Sequence, residues 1–205
     1  MQGEGSESPA GGAGAPGIAT VIDVIRSEHR SLGRVIHALQ KIAMELRAGL
    51  RDPDFALLCA MLYYIDIFPD RVHHPKEEIY LFKALRLRIT AANELLDKLQ
   101  EEHIRGAHLL HQVDQMLVRY QGGAPDGAEI FASAVETYAD LHWNHVRREE
   151  QEVLPLAARH LAESDCWIMA KAFLANEDPL FGARPLREFD RLLAHIFAVQ
   201  GSDTD

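Results

Sequence analysis

Apolar residues that recur every three or four positions constrain the fold of this chain more than any other sequence feature. This spacing places side chains on one face of an α-helix, whereas a half-buried strand needs alternation at every second residue. Four such stripes run between residues 18 and 161, and Gly49, Pro53 and the loop at residues 122–127 interrupt them. Long helices with short connections pack antiparallel, so the sequence predicts an all-α fold, an antiparallel up-down four-helix bundle.

We expect the apolar stripes to form the core of this bundle. The second stripe begins at Phe55 and continues through Ile79 and Phe82, and the third stripe includes Ile104. On this pattern each of these side chains faces the neighbouring helices rather than solvent.

Composition divides the chain into three parts. Residues 1–17 contain six Gly and two Pro without aliphatic periodicity, which predicts a flexible tail. Residues 18–161 form the predicted bundle. Two shorter helical patterns lie on either side of a break at residues 176–179, so we expect residues 162–205 to form a C-terminal helical extension with a short tail.

The charge balance argues against several kinds of partner. Thirty-one acidic residues and 21 Lys and Arg residues give the 205-residue chain a formal net charge of −10. A surface this acidic repels nucleic-acid phosphates and anionic lipids, so we expect no nucleic-acid and no membrane partner. The apolar stretches are shorter than the roughly 18–20 residues of a membrane span, and the N-terminal residues lack the pattern of a signal peptide. We therefore expect a cytoplasmic protein.

The counts of cysteine and histidine indicate where a functional site is to be sought. The two cysteines, Cys59 and Cys166, are too few for a disulfide scaffold or for a cysteine-rich zinc or iron–sulfur site. Histidine is unusually frequent, with 11 residues, and several histidines lie beside an acidic residue or beside another histidine. The histidines are therefore the first candidates for function.

A histidine followed four positions later by two consecutive glutamates occurs on both the second and the fourth predicted helices. His73 precedes residues 77–78 in this way, and His145 precedes residues 149–150. Side chains four positions apart lie on one face of a helix, about one turn from each other. Each motif therefore presents an imidazole and a carboxylate in the same direction.

The first and third predicted helices each carry one histidine directly after a glutamate, at His29 and His103. His103 follows His29 by 74 residues and His145 follows His73 by 72, as expected of two related helical hairpins. Each of the four histidines lies 18 to 20 residues from the predicted turn of its own hairpin. This distance is roughly 30 Å along a helix, so all four imidazoles reach one level of the bundle.

Four imidazoles and two carboxylates in a bundle core are unfavourable without a ligand. Burying one unpaired polar group costs about 1–3 kcal/mol, and an ionised carboxylate costs more. Two metal ions would remove this cost, because imidazole binds iron, zinc or copper and a carboxylate can bridge two cations. The sequence therefore predicts a dinuclear metal site, with no separate catalytic residue, formed by His29, His73, Glu77, His103, His145 and Glu149.

Two alternatives remain open around this set. His74 and Glu78 have the same spacing as His73 and Glu77, offset by about 100° around the helix, and we prefer the first pair because it aligns with the motif of the fourth helix. His142 lies one turn before the histidine of that motif. It is either a further metal ligand, a residue that contacts a ligand, or a surface residue.

Charged residues that flank the motifs are expected to be mostly exposed. Lys76 and residues 147–148 fit a solvated face whose charges balance the second glutamate of each motif. Glu28 and Glu102 precede the lone histidines, where such acids are usually exposed but can also orient a ligand.

The paired motifs resemble the hemerythrin-like (HHE cation-binding) family over residues 18–161, in its bacterial branch with four histidines and two glutamates. The resemblance implies a four-helix bundle with a non-haem di-iron centre. It implies that the four histidines are terminal ligands and that Glu77 and Glu149 bridge the two irons. The oxygen carriers of the family have a fifth histidine at the position of Ala107. Their fourth helix places its acid five residues after the histidine, whereas this chain has Glu149 at four and Glu150 at five. These differences argue against reversible oxygen transport.

The resemblance further implies a protein that binds or reacts with a small oxidant, namely oxygen, nitric oxide or peroxide, or that handles iron. The expected cofactor is two iron ions, although this donor set also accepts manganese or zinc. An alternative is a structural or sensory interaction module that the metal ions stabilise without redox turnover. The sequence leaves open whether the protein is an enzyme, which protein partner it has and its oligomeric state.

Overall fold

A computed structural model of the chain describes residues 17–175, 178–182, 187–189, 192 and 194. The predicted tail at residues 1–17 lies outside the described residues except for Gly17, and so does much of the predicted extension. The division of the chain into three parts therefore stays a prediction.

The described residues form helices without any strand, which confirms the predicted all-α fold. Consecutive long helices contact each other, and the fourth packs back against the first, which closes the bundle. A fifth, shorter helix packs against the first helix, and two short 3₁₀ turns lie at Thr90–Ala92 and Arg187–Phe189. Within residues 17–175, the helices are α1 (Ile18–Arg47), α2 (55–88), α3 (Asn93–Gln121), α4 (127–160) and α5 (Glu163–Leu174).

The connections between the helices follow from local backbone chemistry. Gly49 after α1 and Gly123 after α3 have φ angles of 68° and 82°, a left-handed conformation that glycine adopts without a steric penalty. Asp54 caps the start of α2, where its side chain accepts a hydrogen bond of 3.1 Å from the backbone N–H of Leu57. These short connections reverse the chain and make neighbouring helices antiparallel.

The core consists of two apolar clusters. One cluster, which includes Leu39, Phe68 and Phe131, lies toward the connections that follow α1 and α3. The other, which includes Phe82 and Leu99, lies toward the opposite end and also contains residues of α5. Buried charged and polar residues from all four long helices fall between these clusters along the chain. A polar layer therefore crosses an otherwise apolar bundle.

Helices α2 and α4 contain π-helical turns at this layer. They lie at Asp66–His73 and Glu77–Phe82 in α2 and at Glu149–Val153 in α4. The backbone N–H of Leu154, for example, donates to the carbonyl of Glu149, five residues earlier. Pro69 lacks the N–H that an α-helical hydrogen bond needs, which favours such a turn in α2. π-Helical turns are rare and often occur at functional sites.

Some residues expected in the core are exposed instead, Cys59 and Ala107 among them. Ile79 on α2 and Ile104 on α3 are 58% and 62% solvent-accessible. The period of 3.6 residues assigns both to the buried stripes, but Ile79 lies inside the second π-helical turn, where the helix has more residues per turn and its faces rotate.

Asp178, which follows α5, makes a buried contact with the bundle. The hydroxyl of Tyr64 on α2 donates a 3.1 Å hydrogen bond to the carboxylate of Asp178.

Of the helices that the structure describes, none combines the length and the apolar character needed to cross a membrane.

Candidate metal centre

The polar layer brings together all six residues that the sequence predicts as ligands. Each is at least nine-tenths buried. Helices α1 and α3 each contribute a lone histidine, whereas α2 and α4 each contribute a histidine and a glutamate one turn apart. The six residues are His29, His73, Glu77, His103, His145 and Glu149.

One group of four possible ligand atoms lies on the α1–α2 side of the layer. Nε2 of His29 is 3.2 Å from Oε2 of Glu149 and 3.8 Å from Oε1 of Glu77. Nε2 of His73 is 3.5 Å from the same Glu77 oxygen. One possible ligand atom from each of these residues lies within 4.8 Å of the other three. This spacing suits one cation between two imidazoles and two carboxylates.

A second group lies on the α3–α4 side. Nε2 of His103 is 3.1 Å from Nε2 of His145, which in turn is 3.3 Å from Oε1 of Glu149. Nε2 of His103 is also 3.7 Å from Oε2 of Glu77. Possible ligand atoms of these four residues again lie within 4.8 Å of one another. The second group therefore has the same composition as the first.

The two groups share both glutamates. Glu77 directs Oε1 toward His29 and His73 and Oε2 toward His103. Glu149 directs Oε2 toward His29 and Oε1 toward His145. Each carboxylate therefore presents one oxygen to each group, which is the arrangement of a carboxylate that bridges two cations.

Several polar atoms of the layer are buried without satisfied hydrogen bonding. Within the described part of the chain, both side-chain oxygens of Glu77 and of Glu149, together with Nε2 of His29, have no hydrogen-bond partner. Buried polar groups are normally paired, and an unpaired carboxylate is the most costly of them. These unpaired atoms face the positions that two cations would fill, so the residues present fit a metal pair.

In each of the four candidate ligand histidines, the second ring nitrogen, Nδ1, contacts a carboxylate outside the two ligand groups. A ligand histidine commonly donates its second N–H to such a group, which fixes the ring orientation and makes the ligand nitrogen more basic. The Nδ1–carboxylate distances are 3.1 Å for His29–Glu150, 2.8 Å for His73–Glu28, 2.7 Å for His103–Glu78 and 3.2 Å for His145–Glu102.

Two of these outer carboxylates are in turn paired with basic side chains, which corrects the expectation of a solvated face for Lys76 and Arg148, whereas Arg147 is exposed as expected. Nζ of Lys76 donates to Glu28 at 2.8 Å, and Lys76 is only 7% exposed. Arg148 donates to the Oε2 of Glu102 at 2.6 Å. Lys76 and Arg148 are 72 residues apart, as His73 and His145 are. The relationship between the two hairpins therefore extends beyond the six candidate ligands.

The electrostatics of the layer reflect its density of charge. Burial alone lowers the pKa of His145, but the charge of Glu149 and the contact with Glu102 outweigh burial and raise it to about 10. The pKa of His29 is likewise well above its ordinary value, since the facing carboxylates outweigh burial. Burial raises the pKa of Glu149, yet the contacting histidines hold it well below the usual range. The facing imidazoles and carboxylates therefore favour each other's charged forms.

The alternative pair on α2, His74 and Glu78, lies outside the two ligand groups. Glu78 contacts Nδ1 of His103 rather than facing the ligand groups. His74 stacks on the His103 ring, with centroids 4.0 Å apart and planes at 11°. Its Nδ1 lies 3.2 Å from a carboxylate oxygen of Asp70, a residue that sequence reasoning did not single out although it precedes His74 by one helical turn. Burial and the charges of His103 and His73 lower the pKa of His74 well below its ordinary value.

His142 is buried on α4, one turn before His145. Its Nε2 has no hydrogen-bond partner among the described residues, and its ring contacts that of Trp143 edge-on, with centroids 5.1 Å apart. Burial and the charge of His145 hold its pKa well below the ordinary value. His142 is therefore a neutral imidazole near the layer, outside both ligand groups.

A surface pocket of about 320 Å³ reaches the layer between α2 and α3. Ile79, Ile104 and Ala107 form an apolar part of its lining, and His74 and His103 also line it. Solvent-sized molecules can therefore approach the α3–α4 group from this side.

Comparison with known proteins gives one match for this arrangement. A family model, the hemerythrin HHE cation-binding domain, matches residues 20–157, which include all six candidate ligands. No curated protein and no solved structure gives a significant match to the chain.

Proposed function

The chain belongs to the hemerythrin HHE cation-binding domain family, and from this premise we propose that it is a non-haem di-iron protein that binds or reacts with a small oxidant. The proposed oxidant is oxygen, nitric oxide or peroxide. Alternatively, the protein handles iron itself. The proposed terminal ligands are the four histidines of the polar layer, and the proposed bridges are Glu77 and Glu149.

The observation that carries this proposal is the division of the glutamate oxygens. Glu77 offers one oxygen to His29 and His73 and the other oxygen to His103. Glu149 offers one oxygen to His29 and the other oxygen to His103 and His145. Those four oxygens are buried without a hydrogen-bond partner in the described part of the chain. A single cation would leave one group unsatisfied, whereas two cations satisfy both groups.

The residues around the layer support a reactive rather than an inert centre. When bound, an iron pair held by the four histidines and two glutamates would supply open coordination positions and exchangeable electrons. The outer carboxylates orient the imidazoles and hold them in one tautomer. The two apolar clusters exclude bulk water from the ends of the layer. The pocket at His103 leaves one side accessible to a small molecule.

The choice of iron over manganese or zinc rests on the resemblance, because the donor set suits all three. A cytoplasmic location and the absence of nucleic-acid and membrane partners stay predictions from composition.

The decisive experiment is metal analysis and optical spectroscopy of protein purified without oxygen. We expect about two irons per chain and a spectrum that changes when oxygen, nitric oxide or peroxide is added. Two irons with a spectrum that none of these reagents changes would instead favour the structural or sensory module.

A double variant tests the ligand assignment in the same assay. We expect His73→Ala/His145→Ala to lose both irons, because each of the two ligand groups loses one of its two imidazoles. His108→Ala is the matched control, since His108 is an exposed histidine on α3. Full iron occupancy in the double variant would refute the assignment.

A further inference from the structure

A buried tyrosine outside the polar layer donates a hydrogen bond to a buried carboxylate. Tyr64 on α2 is fully buried, and its hydroxyl donates at 3.1 Å to Oδ2 of Asp178, which is 3% exposed. The other oxygen of Asp178 accepts hydrogen bonds from the backbone N–H groups of Leu180 and Phe181, at 2.8 and 3.0 Å. These backbone contacts hold the carboxylate with Oδ2 beside the phenol.

Two ring contacts connect Tyr64 with the candidate ligand His73. The rings of Tyr64 and Phe68 are stacked with centroids 5.8 Å apart, and the ring of Phe68 lies 6.1 Å from that of His73. Phe68 precedes His73 by five residues, a spacing that places two side chains on different faces of an α-helix. The π-helical turn at Asp66–His73, whose hydrogen bonds span five residues, brings these two rings together.

The surroundings of Tyr64 favour loss of an electron and a proton together. Burial, and then the charge of Asp178, raises the pKa of Tyr64 well above its ordinary value, so the resting phenol keeps its proton. Burial also raises the pKa of Asp178, which makes its carboxylate a better proton acceptor. If the electron leaves and the proton moves to Asp178, the pair changes from one buried negative charge to none, which an apolar environment favours.

The acceptor also has a route to solvent. Asp178 lines a surface pocket of about 450 Å³ together with residues of α1 and α5. Tyr64 itself lies inside the apolar cluster. A proton on Asp178 can therefore exchange with water, whereas the tyrosine ring is shielded from reductants in solution.

We propose that Tyr64 is a redox-active residue that supplies one electron to the metal centre and passes its proton to Asp178. This inference rests on the proposed reaction with a small oxidant, here peroxide. Reduction of one peroxide breaks its O–O bond and forms two water molecules, which consumes two electrons and two protons. Tyr64 supplies one electron through the rings of Phe68 and His73, the metal pair supplies the other, and solvent supplies both protons. The O–H bond of Tyr64 breaks, an O–H bond forms on Asp178, and a neutral phenoxyl radical remains on Tyr64.

The test is electron paramagnetic resonance of protein that is loaded with Fe²⁺ without oxygen, mixed with excess peroxide and frozen rapidly. We expect an organic radical whose hyperfine pattern narrows when the protein contains ring-deuterated tyrosine, which identifies the radical as a tyrosyl. The signal is expected to be lost in Tyr64→Phe, which keeps the stacked ring. It is expected to be retained in Tyr63→Phe, the matched control, because both tyrosines pack against the ring of Phe189.

A second variant separates the redox role from a packing role. We expect Asp178→Asn to bind the iron pair but to give a much weaker radical signal, because an amide does not take up the phenol proton. Iron content, circular dichroism and urea denaturation are measured for every variant. If Tyr64→Phe loses its helices, Asp178→Asn carries the test.

The outcomes distinguish this inference from the proposed function. An iron-loaded protein that reduces peroxide without a tyrosyl signal, or with an equal signal in Tyr64→Phe, would overturn the inference alone. Tyr64 would then only stabilise the fold, and its variant would change the free energy of unfolding but not the radical. If the unmodified protein binds no iron pair, the proposed function itself fails, and the inference fails with it.

Discussion

Nδ1 of His73 lies 2.8 Å from a carboxylate oxygen of Glu28, the residue that precedes His29 in the chain. The other hairpin repeats this relationship, because Glu102 precedes His103 and contacts Nδ1 of His145 at 3.2 Å. In each hairpin, the helix that supplies a lone histidine therefore also orients the histidine of its partner helix.

This relationship predicts that both acids support metal binding from outside the ligand groups. Glu28→Gln and Glu102→Gln keep the shape of the side chain but remove the charge that favours a donated imidazole N–H. We expect each to lower iron affinity by about 10–100-fold, the usual effect of such partners. Anaerobic titration with Fe²⁺ measures it. Glu101→Gln, at an exposed neighbour, is the control, and equal affinity in all three variants would contradict the prediction.

Removal of the metal ions is expected to destabilise the bundle. Glu77 and Glu149 would then be buried with only protonated imidazoles to balance them, and their oxygens lack hydrogen-bond partners among the described residues. A ligand that binds only the folded state at 100 times its Kd adds about 2.7 kcal/mol to the free energy of unfolding. Urea denaturation with and without a chelator measures this increment.

A matched pair of variants tests whether the metal-dependent increase in the free energy of unfolding depends on Glu149. Glu149→Gln should abolish most of the metal-dependent part of the free energy of unfolding, whereas Glu152→Gln, at an exposed position on the same helix, should retain it. An increment of equal size in both variants would show that Glu149 takes no part in binding the ions.

The sequence predicts the helices and the convergence of the six candidate ligands because both depend on distances along the chain. Helical rise fixes how far His29 and His103 lie from their turns, and hairpins bring equal distances to one level. The all-α fold is confirmed by the structure. The ligand roles themselves stay predictions until a metal is measured.

The contacts that the outer carboxylates make with the ligand histidines and with basic side chains are harder to predict from the sequence. Whether Lys76 faces solvent or Glu28 depends on how α2 rotates against α1, and the apolar period does not fix this rotation. The π-helical turns of α2 rotate it further, which is why Ile79 is exposed and why His73 and His74 both reach the layer. Intrahelical hydrogen bonds of this kind leave no periodic signal in the sequence.

A pH dependence is expected from the buried contact that ties the segment after α5 to the bundle. Burial raises the pKa of Asp178 above its ordinary value of 3.8, although hydrogen bonds from Leu180, Phe181 and Tyr64 lower it in part. The folded state therefore holds the Asp178 proton more tightly than the unfolded state does. This contribution to stability is complete below about pH 4 and is lost as the pH rises through the folded pKa.

Asp178→Asn removes this titration and keeps one oxygen, which can accept the hydrogen bonds from the backbone of Leu180 and Phe181 but not the one from Tyr64 as well. We expect the free energy of unfolding of the variant, relative to the unmodified protein, to rise between about pH 4 and pH 7. Urea denaturation of metal-free protein at several pH values measures the slope. Asp140→Asn, at an exposed position on α4, controls for loss of a charge, and parallel curves for the unmodified protein and Asp178→Asn would refute the expectation.

Lys76 and Arg148, the basic residues paired with Glu28 and Glu102, are expected to differ in their effect on stability. They nevertheless occupy matched positions in the repeat. The side chains of Lys76 and Glu28 are 9% and 3% exposed, whereas those of Arg148 and Glu102 are 20% and 14% exposed. Lys76 also lies 5.0 Å from the ring centroid of Phe173 on α5, which covers this side of the bundle. The pair on the α1–α2 side is therefore the more deeply buried.

Removing one partner of a buried ion pair typically costs about 3–5 kcal/mol, whereas an exposed pair contributes about 0–1 kcal/mol. We therefore expect Lys76→Met to lower the free energy of unfolding by about 3 kcal/mol and Arg148→Met by clearly less. Lys83→Met, at an exposed position on α2, is the control for loss of a lysine charge. Because Lys76 contacts Phe173 of α5, limited proteolysis should release α5 faster in Lys76→Met than in Arg148→Met. Equal losses of stability in these two variants would show that the covering helix does not make the two sides of the layer unequal.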